Sequence, residues 1–237
     1  MKIAKIETMG MVDGPGIRTI IFTSGCPMRC LYCHNPEMWT FNDDEFYTTD
    51  QIINRLEKYR TYYETSGGGV TFSGGEPLMQ KELVGILKAC KEKNIHTAID
   101  TCGHFLDEQL THQILENVDL VILDIKHHDE KEYLKLTSQP IKDLIKFINI
   151  LNTYKKDVWL RSVIVPGIND TEDYIINLID FIKQIKNVKN IELLGFHNLA
   201  NDKYENLGIM NPLKDSPSMD SEKLEILKKC LSKHFKM

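Results

Sequence analysis

Two kinds of hydrophobic pattern alternate along the chain. Short segments rich in Val, Ile, Leu and Thr, each bounded by turn residues, predict six β-strands at residues 18–23, 70–73, 96–101, 120–125, 158–165 and 191–196. Apolar residues at helical spacing predict helices at residues 51–64, 79–93, 107–117, 141–155, 171–186 and 221–235. This alternation predicts right-handed crossovers and parallel strands. We expect an α/β fold, an incomplete (β/α)6 TIM-like barrel, forming a single domain over residues 1–237.

One long segment departs from this pattern. Residues 198–218 are polar, contain Pro212 and Pro217, and have no hydrophobic period. A loop of this length in a compact domain is usually functional or disordered. We therefore treat the segment as a candidate lid over a substrate.

Composition narrows the class of protein. The 237 residues are 42% hydrophobic and 27% charged, with a net charge of −5. A mildly acidic chain without a basic block is a poor candidate for binding nucleic acid or an anionic membrane. No apolar run approaches the roughly 20 residues that span a bilayer, and residues 1–6 do not resemble a signal segment. We expect a soluble cytoplasmic protein.

The six cysteines are unevenly placed. Cys90 and Cys230 lie on or beside helical hydrophobic stripes, which predicts that they are buried in the core. Cys102 follows a predicted strand end, and its role stays open. The other three lie within eight residues, in a CxxxCxxC motif inside the predicted loop 24–36: Cys26, Cys30 and Cys33.

Three thiols this close indicate a metal site. Zinc, with His34 as a fourth ligand, is one interpretation, but structural zinc sites usually combine two separated pairs of ligands. Adjacent Cys33 and His34 would also strain to reach one tetrahedral ion. Three ligands without a fourth favour a 4Fe–4S cluster with one open iron.

Polar residues follow most of the predicted strands. Because the carboxyl ends of parallel strands meet at one end of a barrel, we expect these residues to lie together beside the cysteines. Arg161 lies among apolar neighbours on the fifth strand, which is costly unless its charge meets a partner. Taken singly, each is consistent with a turn, a helix cap or a surface charge; the set is Gly74, Gly75, Glu76, Asp100, Thr101, Asp124, Ile125, Lys126, Arg161 and His197.

The order of these motifs resembles the radical S-adenosylmethionine (SAM) superfamily. The CxxxCxxC motif follows the first strand, and Gly74-Gly75-Glu76 follows the second. The segment Asp13-Gly14-Pro15-Gly16-Ile17-Arg18 is similar to the start of the organic-radical-activating enzymes in that superfamily. The resemblance covers nearly the whole chain.

The resemblance implies the cofactors and their residues. Cys26, Cys30 and Cys33 would hold three irons of one 4Fe–4S cluster, and SAM would bind the fourth. No side chain would be catalytic, because a 5′-deoxyadenosyl radical carries the chemistry. A monovalent cation would lie near SAM, with Asp100 and Asp124 as its candidate ligands. The implied SAM-binding residues are Tyr32, His34, Gly74, Gly75, Glu76, Asp100, Thr101, Asp124, Ile125, Lys126, Arg161 and His197.

The resemblance also implies partners. The protein substrate would be a glycyl-radical enzyme of the pyruvate formate-lyase kind, and a flavodoxin or ferredoxin would supply electrons. Asp13 and residues 198–218 are candidates for touching the substrate loop, and we expect a monomer. The chain has no further cysteine between Cys33 and Gly74, so it lacks the inserted ferredoxin-like module of some activators.

Three alternatives remain at this point. The chain could activate another glycyl-radical enzyme. It could act on a small molecule, as a 7-carboxy-7-deazaguanine synthase does. It could also be a non-catalytic iron–sulfur or zinc redox sensor, although that function leaves the polar strand ends without a purpose.

Overall fold

The computed structural model describes residues 1–41 and 45–235; the predicted domain also includes residues 42–44 and 236–237, which lie outside this part. The strands are β1 (Lys2–Gly10), β2 (Arg18–Thr23), β3 (Glu45–Phe46), β4 (Gly69–Gly74), β5 (His96–Thr101), β6 (Leu120–Asp124), β7 (Asp157–Ile164) and β8 (Val188–Gly195). The helices are α1 (Thr49–Glu57), α2 (Arg60–Ser66), α3 (Leu83–Glu92), α4 (Glu108–Asn117), α5 (Glu130–Thr137), α6 (Lys142–Leu151), α7 (Glu172–Ile182), α8 (Asn201–Asn206) and α9 (Ser221–His234).

These eight strands form one sheet in the order β3-β1-β2-β4-β5-β6-β7-β8. The six predicted strands, β2 and β4 to β8, pair in parallel with one another, which confirms the α/β prediction. β1 was not predicted as a strand; it pairs antiparallel with β2 and with the short β3. The sequence analysis therefore missed an antiparallel edge beside the predicted parallel strands.

The sheet curls, since residues from its two ends touch. Arg161 on β7 donates hydrogen bonds to Val12 and Asp13, which lie in the connection between β1 and β2. Three strands separate β2 from β7 in the sheet order. Contact across that distance requires a curved sheet with an interior, as expected for part of a barrel.

Alternation along each strand separates the two faces of the curled sheet. On β6, Val121 and Leu123 are fully buried in the main core, which also contains apolar residues of the helices. Leu120 and Ile122 belong instead to a small separate cluster with Ala98 of β5. Because side chains alternate with period two, Asp124 shares the face of Leu120 and Ile122. The polar strand ends therefore face the interior.

Helix boundaries follow local capping. Thr48 and Gln51 form a capping box at the start of α1. The predicted single helix 51–64 is wrong, because at Lys58 and Tyr59 the N–H groups bond to carbonyls three residues back, and the chain restarts as α2.

Two further helices were missed. α5 has few apolar positions, and it is capped by Asp129, whose carboxylate accepts hydrogen bonds from the N–H groups of Lys131 and Glu132. α8 has six residues and no side-chain cap, and it lies inside the segment 198–218 that was expected to lack regular structure. Cys90 and Cys230 are buried, as predicted.

Candidate functional site

The loop that follows β2 carries the three motif cysteines and is held on both sides by backbone hydrogen bonds. On one side, Arg29 and Leu31 donate N–H bonds to the carbonyls of Thr137 and Leu136 at the end of α5, each at 2.9 Å. On the other side, the N–H of Cys26 bonds to the carbonyl of Trp39 at 3.2 Å. The conformation of this loop therefore depends on tertiary contacts as well as on its own sequence.

The three motif cysteines line one cavity of about 220 Å³. The predicted site residues that also line it are Tyr32, His34, Gly74, Gly75, Asp100, Thr101, Asp124 and Lys126. It also contains Met28, Asn35, Ser73, Cys102 and Val163, which the sequence analysis did not assign to the site. The structure thus brings most of the predicted residues together at the carboxyl ends of neighbouring strands.

The motif cysteines are free thiols with perturbed acidity. Burial raises the pKa of Cys26 to about 12 and that of Cys30 to about 11, and it also raises the pKa of Cys33. Such thiols stay protonated at neutral pH, so binding of a metal must displace their protons. In residues 1–41 and 45–235, no three His, Cys, Asp or Glu side chains are arranged to hold one metal ion.

Two strand-end carboxylates lie in different environments. Asp124 accepts a hydrogen bond of 2.6 Å from Lys126. Asp100 accepts a bond of 2.8 Å from the hydroxyl of Ser73. Burial, followed by repulsion from Asp124, raises the pKa of Asp100 to about 7. The cavity therefore contains a carboxyl group that is only partly ionised at neutral pH.

Arg161 is the centre of a charged network inside the curled sheet. Its side chain is 6% exposed, with Nη1 at 3.3 Å from Asp13 and 3.6 Å from Asp100, and Nε at 3.0 Å from Glu192. Burial acts to lower its pKa, but the surrounding carboxylates outweigh burial and raise it. The expectation that this charge needs partners is confirmed. Glu192 was missed, although it is paired with Arg161 in the parallel register of β7 and β8.

Gly74 and Gly75 bring the end of β4 close to the cysteine loop. Gly74 has a φ of +101°, which non-glycine residues rarely adopt. A Cβ atom on Gly75 would collide with the carbonyl of Gly25. The N–H groups of Gly75 and Glu76 bond to the carbonyls of Thr23 and Gly25 at 2.7 and 2.8 Å. Glycine is therefore required at both positions.

The side chain of Glu76 is completely buried, and it is not among the described residues that line the cavity. Its carboxylate accepts hydrogen bonds from the hydroxyl of Thr101 at 2.6 Å and the N–H of Leu78 at 3.0 Å. It also accepts bonds from the N–H of Cys102 at 3.0 Å and from its thiol at 2.8 Å. Glu76 thus joins the end of β4 to the end of β5.

Aromatic groups enclose the cysteine side of the cavity. Tyr32 is buried, and its hydroxyl has no hydrogen-bond partner among the described residues. Lys126 lies 5.6 Å from the centre of the Tyr32 ring. His34 and His197 meet edge to face with ring centres 4.6 Å apart. The side chain of Ile125 packs in the hydrophobic core instead of lining the cavity.

This donor set fits a 4Fe–4S cluster with a polar ligand beside it. Each of three cysteines binds a different iron in such a cluster, so the thiols need not converge on one point as they would around zinc. A buried hydroxyl without a partner is costly, and a polar ligand in the cavity would satisfy that of Tyr32.

A second cavity of about 640 Å³ lies along the open side of the sheet. Residues of the β1–β2 connection line one wall, and residues of β7, β8 and α9 line the other. Arg161 lines this cavity, and its guanidinium lies 3.6 Å from Asp100, which lines the first. The charged network around Arg161 therefore separates the two cavities.

Among the described helices, none has the length and hydrophobicity of a transmembrane span.

Comparisons with known proteins agree with this geometry. The sequence model of the Radical SAM superfamily matches residues 20–182. The chain is 44% identical to a pyruvate formate-lyase-activating enzyme of Clostridium pasteurianum, over 97% of this chain and 96% of that protein. It is 41% identical to one of Staphylococcus epidermidis, over 92% of this chain and 89% of that protein.

Solved structures show the same fold. A domain of a pyruvate-formate lyase-activating enzyme from Bacteroides vulgatus is 25% identical, with a TM-score of 0.57 over 71% of this chain and 95% of that chain. SuiB of Streptococcus suis, solved with S-adenosylmethionine, is 17% identical, with a TM-score of 0.66 over 88% of this chain and 45% of that chain.

Proposed function

This chain belongs to the radical SAM superfamily, and we propose that it activates pyruvate formate-lyase by removing a hydrogen atom from one glycine of that enzyme. The observation that carries the proposal is the cavity in which three free cysteines meet the polar ends of neighbouring strands. The relatives at 44% and 41% identity, which bear the name of this activity, support it.

We assign the cavity to a 4Fe–4S cluster and SAM. Cys26, Cys30 and Cys33 would each hold one iron, and the amino and carboxylate groups of SAM would bind the fourth. When bound, the reduced cluster supplies one electron that splits SAM into methionine and a 5′-deoxyadenosyl radical, and transfer of a glycine hydrogen atom to that radical gives 5′-deoxyadenosine and a glycyl radical.

The side chains of the cavity would position and neutralise SAM. Lys126 and Arg161 bring positive charge to a site that also contains the carboxylates of Asp100 and Asp124. Tyr32 presents a hydroxyl without a described partner. Gly74 and Gly75 would contact SAM through their backbone groups. Glu76 would act indirectly, by holding the ends of β4 and β5 together.

A monovalent cation would complete the site between Asp100 and Asp124. The pKa of Asp100 is raised first by burial and then by Asp124, so a cation between the two carboxylates would relieve both costs. Potassium or sodium ions should therefore stabilise the cofactor-loaded protein more than a bulky organic cation does.

The second cavity would admit the glycine-bearing loop of the protein substrate. It is open along the side of the incomplete barrel, and Asp13 and Arg161 lie at its inner end, next to the first cavity. Residues 198–218 follow β8 and would cover this loop once it is bound. The reaction consumes one electron, for which we propose a flavodoxin or ferredoxin as donor, and we propose that the chain acts as a monomer.

The test is anaerobic reconstitution with iron and sulfide, followed by reduction and addition of SAM and pyruvate formate-lyase. We expect methionine, 5′-deoxyadenosine and a glycyl-radical signal in the electron paramagnetic resonance spectrum. SAM cleavage without the radical signal would reject pyruvate formate-lyase as the partner. A protein that takes up a cluster but never cleaves SAM would reject the enzymatic function and favour a redox sensor.

A further inference from the structure

Helix α8 contacts the half of the cysteine loop that α5 does not hold. The ammonium group of Lys203 donates to the carbonyl of His34 at 3.0 Å, to Oδ1 of Asn35 at 2.7 Å and to Oε1 of Glu37 at 2.7 Å. An ammonium group has three N–H donors. All three therefore bind one short stretch of the loop, immediately after Cys33.

Tyr204 adds a second set of contacts from the same helix. Its side chain is 1% exposed, and its hydroxyl donates to the carbonyl of Cys33 at 3.1 Å. Its ring meets that of Trp39 edge to face, with centres 5.9 Å apart. The backbone carbonyl of Trp39 in turn accepts a hydrogen bond from the N–H of Cys26. Through these contacts α8 reaches the backbone at two of the three motif cysteines.

We propose that Lys203 and Tyr204 are positioning residues that hold residues 33–39 in the conformation that presents Cys33 and His34 to the cavity. The site that they serve is the one assigned in the proposed function. The only regular structure in this stretch is a single 3-10 turn, Pro36–Met38. Without α8, the half of the loop that follows Cys33 would keep the backbone bonds of Met38 and Trp39 to Gly25 and Cys26, but it would lose every contact of Lys203 and Tyr204.

Lys214 in the same segment provides a matched control. It forms an ion pair with Glu205 at 3.2 Å, and the two side chains are 60% and 63% exposed. Such a pair contributes little to stability, and none of its hydrogen bonds reaches the cysteine loop. Lys203→Met and Lys214→Met therefore remove the same charge from the same segment, but only the first removes contacts with the loop.

The experiment measures hydrogen exchange of the backbone amides in the cluster-free and the reconstituted protein, together with the rate at which a chelator removes iron. The amides of Met38 and Trp39 are hydrogen-bonded within the loop and report on its opening. In Lys203→Met we expect them to exchange about tenfold faster, and iron to be lost faster. The amides of Arg29 and Leu31, which bond to α5, should keep their wild-type rates.

Further variants separate positioning from general stability. Tyr204→Phe removes the bond to the carbonyl of Cys33 but keeps the ring contact with Trp39, so it should speed exchange at Met38 and Trp39 less than Lys203→Met does. Lys203→Arg should restore most of the protection because it keeps the charge and the donors. In each variant the free energy of unfolding in urea should fall by no more than about 1.4 kcal/mol, the equivalent of tenfold faster exchange. The proposal would be overturned if the amides of Met38 and Trp39 exchanged at their wild-type rates in Lys203→Met. It would also be overturned if Lys214→Met increased these rates as much as Lys203→Met does. Because the cluster-free protein gives the exchange result by itself, a wild-type chain that takes up no cluster would reject the proposed function separately.

Discussion

Asp100→Asn should stabilise the cofactor-free protein at alkaline pH. The carboxyl group is 17% exposed, accepts a hydrogen bond from Ser73 and lies 3.6 Å from Arg161. The amide of asparagine has nearly the same shape and can keep the bond to Ser73. The substitution removes the charge whose burial raises the pKa of Asp100.

The magnitude follows from that pKa. Burial and Asp124 raise it from 3.8 to about 7, so the folded protein binds this proton more tightly than the unfolded chain. Below pH 3.8 both states are protonated and ionisation costs nothing; between pH 3.8 and 7 the stability of the folded protein falls as pH rises. At about 1.4 kcal/mol per pKa unit, the full cost at pH 8 is about 4 kcal/mol.

The assay is urea unfolding of both proteins without cofactors, in a buffer that contains only bulky organic cations. The advantage of Asp100→Asn over wild type should grow by about 3 kcal/mol between pH 5 and pH 8. Asp124→Asn is the control and should instead destabilise the protein, by about 2 kcal/mol, because it leaves the ammonium group of Lys126, which is only 12% exposed, without its carboxylate. A stability difference between Asp100→Asn and wild type that does not change with pH would refute the reasoning.

Three further substitutions test other contacts of the site. Cys30→Ala should abolish the bound iron and the visible absorbance of the reconstituted protein, whereas Cys90→Ala should keep both; iron bound equally by the two would contradict the cluster assignment. Tyr32→Phe removes a buried hydroxyl without a described partner, so unfolding in urea should show a stability equal to wild type or up to about 1 kcal/mol higher, while titration should show weaker SAM binding. Cys102→Ala should cost about 1 kcal/mol because Glu76 loses a hydrogen-bond donor, and Cys102→Ser should restore most of it; equal losses in urea would exclude this role of the thiol.

Local patterns were sufficient for the parallel part of the fold. The predicted strands 18–23 and 96–101 agree with β2 and β5 at both ends, because short runs rich in Ile and Thr between turn residues are typical of strands. β1 was missed because its alternation is irregular, with bulges in its pairing and a positive φ at Met9. α8 was missed because its six residues contain a single buried side chain, Tyr204, and so carry no helical period.

The same limit applies to the site. Cysteine spacing and strand ends are local signals, and they identified most of the residues that line the first cavity. Glu76 contacts Cys102, which lies 26 positions further along the chain. Lys203 contacts the cysteine loop, which lies more than 160 positions before it. No spacing rule predicts such pairs.

The sequence by itself determined which residues could carry the chemistry and on which face of each strand they lie, because side chains alternate with period two along a strand. The curvature of the sheet, by contrast, was decided by packing of the whole chain. Only this curvature brings Asp13 to the guanidinium of Arg161, which also lies beside the carboxylate of Asp100. The acidity of Asp100 and the anchoring of the cysteine loop by α8 are consequences of that packing, since both depend on burial and on partners from distant elements.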